Sequence, residues 1–328
     1  MRRWNVALAG FGGVGRAVAE LMSRRRDRYA ERYGADVRLT GVRRSRTAAI
    51  DCEGLAPGDL EGGGPAREDF LDAAQAHVLI EAGPSDFRTG GPGLHYMRQA
   101  LSSGRHVVAI SKGALVLDGP GLKALAEQHG ARLKISGATA AALPTIDLLD
   151  YNLAGCEILS IEGILNATSN HLLTEMMERE VTLADALAAA QGAGFAEADP
   201  SLDVEGWDAA SKLLILLNFG LGASLSMDDL AVGGIQHVRL ADIRGWRDAG
   251  LSPRLVAYAT RVGDDLRAGV ELRTYPATDP FALVRGKNKA IRILTDGMGE
   301  LTASGCGSEP GATAAAALKD LEHIIAAG

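Results

Sequence analysis

The side chains best suited to chemistry crowd into one stretch, Glu197 to Lys212, which reads E-A-D-P-S-L-D-V-E-G-W-D-A-A-S-K and runs on into Leu213, Leu214, Ile215, Leu216 and Leu217. Asp208 and Lys212 are spaced i,i+4, so on a helix they share one face, and that stripe continues through Ile215, Leu216 and Phe219. On a surface helix such a pair is a solvated ion pair contributing about 0.2–0.5 kcal/mol. Here the stripe is apolar, so the pair points inward, where charge is costly unless partnered. Glu197, Asp199 and Asp203 bring further carboxylates to the mouth of the same helix. A lysine among several acids at that place suggests a polar pocket that binds a small molecule and moves a proton. A second lysine, Lys112, ends the apolar run Arg105 to Ile110 as S-K-G.

The first part of the chain supplies a frame for that second lysine. Trp4 to Ala9 reads as a buried strand, Gly10-Phe11-Gly12-Gly13-Val14-Gly15 as a turn, and Arg16 to about Tyr33 as helix. In G-x-G-x-x-G, Gly10 permits the tight turn, Gly12 lets the backbone approach a pyrophosphate, and Gly15 lets helix and strand pack closely. The amides opening the helix then hold phosphates, with Phe11, Gly13 and Val14 filling out the turn. The second strand, Val37 to Val42, ends where such a fold meets the adenosine ribose. A carboxylate there would bond the 2′-hydroxyl of NAD, but this chain has Arg43, Arg44 and Arg46. Guanidiniums would grip a 2′-phosphate, which favours NADP with NAD still admissible; alternatively these arginines are merely solvated on a loop. Strands at His77 to Ala82, Arg105 to Ile110 and Ala131 to Ser136, with helices at Pro92 to Ser103 and Gly121 to His129, complete a doubly wound domain. Ligands bind outside the carboxyl ends of such strands, so Gly83, Pro84, Ser111 and Lys112 would face the cofactor.

From about Gly137 the character changes. Ala138 to Tyr151 reads as a connecting helix and Ile158 to Leu165 as a strand. The polar turn Asn166-Ala167-Thr168-Ser169-Asn170-His171 either lines a pocket or caps a helix at Thr168 or Ser169. Helices follow at Leu172 to Glu178 and Leu183 to Gly192, and strands at Arg254 to Val262, Asp265 to Thr274 and Ala290 to Thr295. A run of small residues, Gly305 to Thr313, enters a last helix, Ala314 to Ala326, expected to pack back on the first domain. The expected fold is α/β: an N-terminal Rossmann-type doubly wound parallel sheet plus a second α+β domain with a mixed sheet. Residues 1–137 with 305–328 would bind nucleotide, and residues 138–304 would bind substrate and catalyse.

Composition bounds the rest. With 328 residues the chain is long for one core and comfortable for two domains. A formal charge of -7 argues against nucleic acid, and the basic cluster Arg24, Arg25, Arg26, Arg28 suits a solvated helix end. Cys52, Cys156 and Cys306 are widely spaced and odd in number, as in reduced cytoplasmic proteins. Met1-Arg2-Arg3-Trp4 leads straight into Asn5 to Gly10, too short and too quickly broken by glycine for a signal segment, and the apolar run from Leu213 meets Asn218, Gly220 and Gly222 too soon to span a membrane. The expectation is a cytoplasmic protein acting on a small molecule, with no nucleic-acid or membrane partner.

Taken together, G-F-G-G-V-G at Gly10, V-V-A-I-S-K-G at Val107, G-I-L-N-A-T-S-N at Gly163, the Glu197 to Leu213 stretch and G-K-N-K-A-I at Gly286 resemble homoserine dehydrogenase along most of the chain. The glycine-rich segment from Gly305 also fits, as part of the cofactor site. The resemblance implies reduction of L-aspartate 4-semialdehyde to L-homoserine with NAD(P)H, in threonine and methionine biosynthesis. It implies Lys212 as the acid/base lysine and Lys112 as a second lysine beside the substrate, forming the opposing wall from the first domain. Glu197, Asp203 and Asp208, with Thr168, would hold the substrate and order the site. Departures are Ser111 where Asn usually precedes the lysine, Ala167 for Gly, and His171 for Tyr. Ala140-Ala141-Ala142 replaces a glycine-rich turn near which family members hold a monovalent cation on backbone carbonyls, and no metal site is assigned. The resemblance further implies a homodimer or homotetramer, and ending at Gly328 leaves no expected amino-acid-sensing domain. The alternatives are a related NADP-dependent dehydrogenase of another small amino aldehyde or alcohol, and a non-catalytic NADP-binding protein.

Overall fold

The computed structural model describes residues 1–263, 265–305 and 310–328. The chain divides into two compact units, Met1–Ala142 with Glu309–Gly328, and Leu143–Ser308.

The first unit is built on a seven-stranded sheet. In chain order its strands are β1 (Arg2–Ala9), β2 (Ala35–Arg43), β3 (Thr47–Ile50), β4 (Gly64–Pro65), β5 (Val78–Glu81), β6 (His106–Ala109) and β7 (Leu133–Lys134), arranged spatially as β4-β3-β2-β1-β5-β6-β7. The five strands from β2 to β7 across the sheet run parallel, and β1 pairs with both β2 and β5. Parallel strands covered on both faces read as near-continuous apolar runs, and Val6, Leu8, Val78, Ile80 and Val108 are fully buried. The edge strands β3 and β4 are antiparallel additions that T-A-A-I and G-P are too short and too small to announce. Helices α1 (Gly13–Arg24), α2 (Arg26–Tyr33), α3 (Phe70–Ala73), α4 (Gly91–Ser102), α5 (Gly113–Gln128) and α6 (Ser136–Thr139) accompany the sheet.

The run Ala138 to Tyr151 is not one helix. Beyond α6, Ala141 adopts φ +54°, in the left-handed region that favours glycine, and Pro144 brings no backbone N–H. Helix resumes only as α7 (Thr145–Asp147) and a wide turn at Leu148–Asn152.

The second unit holds a six-stranded sheet. Its members are β8 (Ile158–Ile164), β9 (Ala231–Val232), β10 (Leu251–Val262), β11 (Asp265–Pro276), β12 (Lys289–Thr295) and β13 (Gly299–Gly305), ordered β13-β12-β8-β10-β11-β9. The sheet is mixed: β9 is parallel to β11, and the other pairs are antiparallel. Helices α8 (Ala167–Arg179), α9 (Leu183–Gly192), α10 (Ser201–Val204), α11 (Trp207–Gly220) and α12 (Leu240–Asp248) belong to it. Helix α11 buries every residue from Leu213 to Asn218, which is why its sequence is apolar on nearly all sides. Gly206 enters it at φ +93°, and a Cβ there would lie 2.4 Å from the Gly233 carbonyl oxygen.

The chain then returns to the first unit as α13 (Pro310–Ala326). Leu318, Leu321, Ile324 and Ile325 join Trp4, Val18, Met22 and Tyr29 in one core. Glu322 accepts from Arg28 Nε and Nη2 at 3.1 and 3.0 Å and from the Tyr33 hydroxyl at 2.8 Å. Asp320 accepts from the Ser136 amide at 2.9 Å and hydroxyl at 2.8 Å. Of the small-residue run, residues 306–309, Cys306 among them, lie outside the described residues. Cys52 and Cys156 are free thiols. Among the described residues no helix is long and apolar enough to cross a membrane.

Candidate active site

In the second unit, Asp208 and Lys212 lie on successive turns of α11 and pair at 2.6 Å, with side chains 14% and 15% exposed. That exposure sets them apart from a solvated surface pair. Lys212 Nζ also donates to the Leu165 carbonyl at 2.9 Å, just past the end of β8. Asn166, the next residue, is 4% exposed and joins everything nearby. Its Nδ2 donates to Asp203 Oδ1 at 2.6 Å and to Asp208 Oδ2 at 2.7 Å, while its Oδ1 accepts from the Ser169 amide at 2.7 Å. The cap of α8 is therefore Asn166, not Thr168 or Ser169 as the sequence reading offered. An asparagine can do this because its amide is donor and acceptor at once: the oxygen closes the helix and the nitrogen bridges two acids. Thr168 lies half-buried in the first turn of α8.

Glu197 stands apart. It is exposed in the segment between α9 and α10, and among the described residues no hydrogen bond or ion pair ties its carboxylate to Asp203, Asp208 or Lys212. Its backbone carbonyl accepts from Gln191 Nε2 at 2.9 Å. Asp199 accepts from the Ser201 hydroxyl and amide at the start of α10, and these bonds hold its carboxyl below the usual range. His171 sits edge-on to Phe195, ring centroids 5.0 Å apart, which suits a packed helix residue. Gly305 closes β13, paired with Lys289.

In the first unit the glycine turn has the form its spacing predicts. Gly10 takes φ +99°, and a Cβ there would lie 2.4 Å from Ala82 C and Gly83 N. A Cβ on Gly15 would stand 2.2 Å from the Gly10 carbonyl oxygen, whereas Gly12 has nothing within 4 Å and leaves its backbone open to a ligand. Among the described residues no side chain caps the start of α1, the place where such a turn presents backbone amides to phosphate. The Phe11 ring carries the Arg16 guanidinium 4.8 Å from its centroid.

The arginines at the end of β2 and just past it are committed differently from one another. Arg43 turns onto Tyr96, donating to its hydroxyl and lying 4.8 Å from its ring centroid. Arg44 pairs with Glu61 at 2.9 Å, and Arg46 is exposed.

At the ends of β5 and β6 a buried acid that the sequence reading passed over, Glu81, ties two loops together. It is 2% exposed and accepts from the Gly83 amide at 2.9 Å and from the Ser111 hydroxyl. Burial pushes its carboxyl up, and the bonds from Ser111 and Gly83 pull the other way. A carboxylate closing the apolar run V-L-I-E was the available signal. Lys112 follows Ser111, its amide donating to Ser85 Oγ at 2.9 Å. Gly113 permits the approach: a Cβ there would lie 2.3 Å from the Asp86 carbonyl oxygen. Gly83, Pro84, Ser111 and Lys112 thus share the carboxyl edge of the sheet with Gly10.

A glycine turn on a parallel sheet in one unit and a buried lysine paired with Asp208 in the other suit an NAD(P)-dependent oxidoreductase. Residues 10–136 match the family description "Homoserine dehydrogenase, NAD binding domain", and residues 144–321 match "Homoserine dehydrogenase". The chain belongs to the homoserine dehydrogenase family. It is 34% identical to the NAD(+)-dependent homoserine dehydrogenase of Pseudomonas canavaninivorans, over 99% of this chain and 97% of that one. It is 31% identical to the homoserine dehydrogenase of Methanocaldococcus jannaschii, over 98% of each. Among solved structures, a homoserine dehydrogenase from Thiobacillus denitrificans superposes with a TM-score of 0.88 at 28% identity, covering 99% of this chain and 74% of that one.

Proposed function

We propose that the protein interconverts L-aspartate 4-semialdehyde and L-homoserine by hydride transfer, with NADP as the preferred nucleotide. The observation that carries this reading is the Lys212 ammonium, largely buried and held between the Leu165 carbonyl and Asp208. When bound, the nucleotide supplies a hydride to the aldehyde carbon or takes one from the alcohol. The carbonyl oxygen becomes negative as the hydride arrives, and Lys212 Nζ gives it a proton; in the reverse direction Lys212 takes that proton back. Before transfer the ammonium also stabilises the developing charge. Asp208 and Asn166 fix the lysine's direction. Asp203, with Glu197 and Thr168 from neighbouring segments, is assigned to the substrate's ammonium and polar groups. Gly10 to Gly15 receive the pyrophosphate, and Gly83, Pro84, Ser111 and Lys112 the reacting end of the nucleotide, with Gly305 as a further contact. Arg44, with Arg43 behind it, supports NADP over NAD.

The same reading places the protein in the cytoplasm, as a homodimer or homotetramer, supplying homoserine for threonine and methionine synthesis. Purified protein should reduce NADP in the presence of homoserine and lose that activity on Lys212→Ala. No turnover anywhere between about pH 7 and 10 would sink the proposal. The ratio of NADP to NAD efficiency checks the nucleotide assignment, and light scattering checks the oligomer.

A further inference from the structure

The arginine best placed to grip a 2′-phosphate already holds an anion. Arg44 directs Nη1 to Glu61 Oε2 at 2.9 Å, gives Nη2 to the carbonyls of Glu61 and Gly62, and commits Nε to Thr47 Oγ1 at 3.0 Å. The other carboxylate oxygen, Glu61 Oε1, pairs with Arg16. Arg16 rises from the first turn of α1, directly behind the glycine turn, and lies over the Phe11 ring. One carboxylate therefore bridges an arginine just past the phosphate loop and another just past β2. In a dinucleotide fold that is where the adenosine ribose is met. A cavity of about 460 Å³ whose lining includes Phe11, Arg16, Leu55, Leu60 and Glu61 opens beside the cluster, so the carboxylate borders open space rather than packed core.

We infer that Glu61 is a specificity-determining residue: a carboxylate supplied by the loop after β3 that seats the ribose of NAD and competes with the 2′-phosphate of NADP for Arg44 and Arg16. The inference rests on the NAD(P) reading above and deepens it. A 2′-hydroxyl needs an acceptor, which dinucleotide folds ordinarily take from an acid at the end of the second strand. Here that position is arginine, and Glu61 brings the acid from elsewhere. A 2′-phosphate is itself an anion, so it must displace Glu61 from both guanidiniums and is repelled while Glu61 remains. The Glu61 side chain is 54% exposed, on a loop rather than in the core, so it can swing into solvent without unfolding anything. The preference of the protein for NADP is thereby weaker than its arginines alone would produce.

Fluorescence titration of the full chain with NADPH and NADH tests this without any substrate, and so stands even if homoserine proves not to be turned over. Glu61→Gln keeps the side chain's size and removes its charge. It should tighten NADPH by roughly 5- to 30-fold, the equivalent of two part-exposed ion pairs given up, and leave NADH unchanged or weaker. In Glu61→Gln/Arg44→Ala the gain should shrink, and in Glu61→Gln/Arg44→Ala/Arg16→Ala it should disappear. If Glu61→Gln shifts both nucleotides by the same factor, or shifts neither, the inference is overturned. A gain that survives in the triple variant also overturns it, because the freed charge would then be acting through neither arginine.

Discussion

Replacing Asn166 by Asp would keep the cap oxygen of α8 and exchange the bridging amide for a third acceptor. The new oxygen would take the place of an amide nitrogen that lies 2.6 Å from Asp203 and 2.7 Å from Asp208. With charge centres about 4 Å apart and an effective dielectric of about 20, each like-charged pair costs about 4 kcal/mol. Two such pairs cost about 8 kcal/mol, of which Lys212 beside Asp208 offsets a part. A proton offers a cheaper way out. Protonating one carboxyl of ordinary pKa near 4 costs about 4 kcal/mol at pH 7, so the loss of stability is capped near that figure. The extra proton is bound in the folded state and absent from the unfolded chain, so the folded state binds more. Stability should therefore rise as pH falls, by about 1.4 kcal/mol per pH unit, until the unfolded carboxyl also protonates near pH 4. Urea denaturation followed by tryptophan fluorescence, with Trp207 one residue before Asp208, would measure it. Asn166→Ala, which loses the cap (about 1 kcal/mol) and the bridge but adds no charge, should show a shallower slope. An Asn166→Asp deficit of the same size at about pH 5 and about pH 8 would refute the bridging role.

Three further outcomes are expected. Lys212→Ala should lower turnover with homoserine by about 10²- to 10⁴-fold while nucleotide titrations stay unchanged, which separates proton transfer from folding. Gly10→Ala should cost at least about 2 kcal/mol and abolish nucleotide binding, seen by thermal denaturation and titration, since backbone atoms of Ala82 and Gly83 occupy the space a Cβ needs. Burial alone would push the Glu322 carboxyl up, but the bonds from Arg28 and Tyr33 leave it below its usual range. Its contribution is therefore present above the ordinary carboxylate pKa and lost as pH falls. Glu322→Gln should lower the thermal midpoint at neutral pH, and the difference from the parent should close below about pH 4.

Some of this architecture was open to reading in advance because one local constraint selected the residue. Gly10 and Gly15 are glycine since nothing else fits, and the pattern survives in the letters. Asp208 and Lys212 could be paired from i,i+4 spacing on an apolar stripe. Relations made across the fold were closed to such reading. N-A-T-S-N offers several capping side chains, and only the arrival of Asp203 and Asp208 beside the end of β8 selects Asn166. Glu81 looks like the polar end of a strand until the β6 loop is laid over it. The arginines at the end of β2 and just past it read as free cations, because their partners, Glu61 and Tyr96, arrive from a glycine-rich loop and from α4. The expected helix from Ala138 failed at Ala141 and Pro144, where alanine-rich composition outweighed a proline in the reading but not in the chain.

The last helix has a consequence for the order in which the protein can be made. Leu318, Leu321, Ile324 and Ile325 complete the core around Trp4, Val18 and Tyr29, yet they are translated after the whole second unit. The glycine turn, though synthesised first, must wait on an unfinished core until the final turns emerge. Trimming α13 should thus be felt first at the opposite end of the polypeptide.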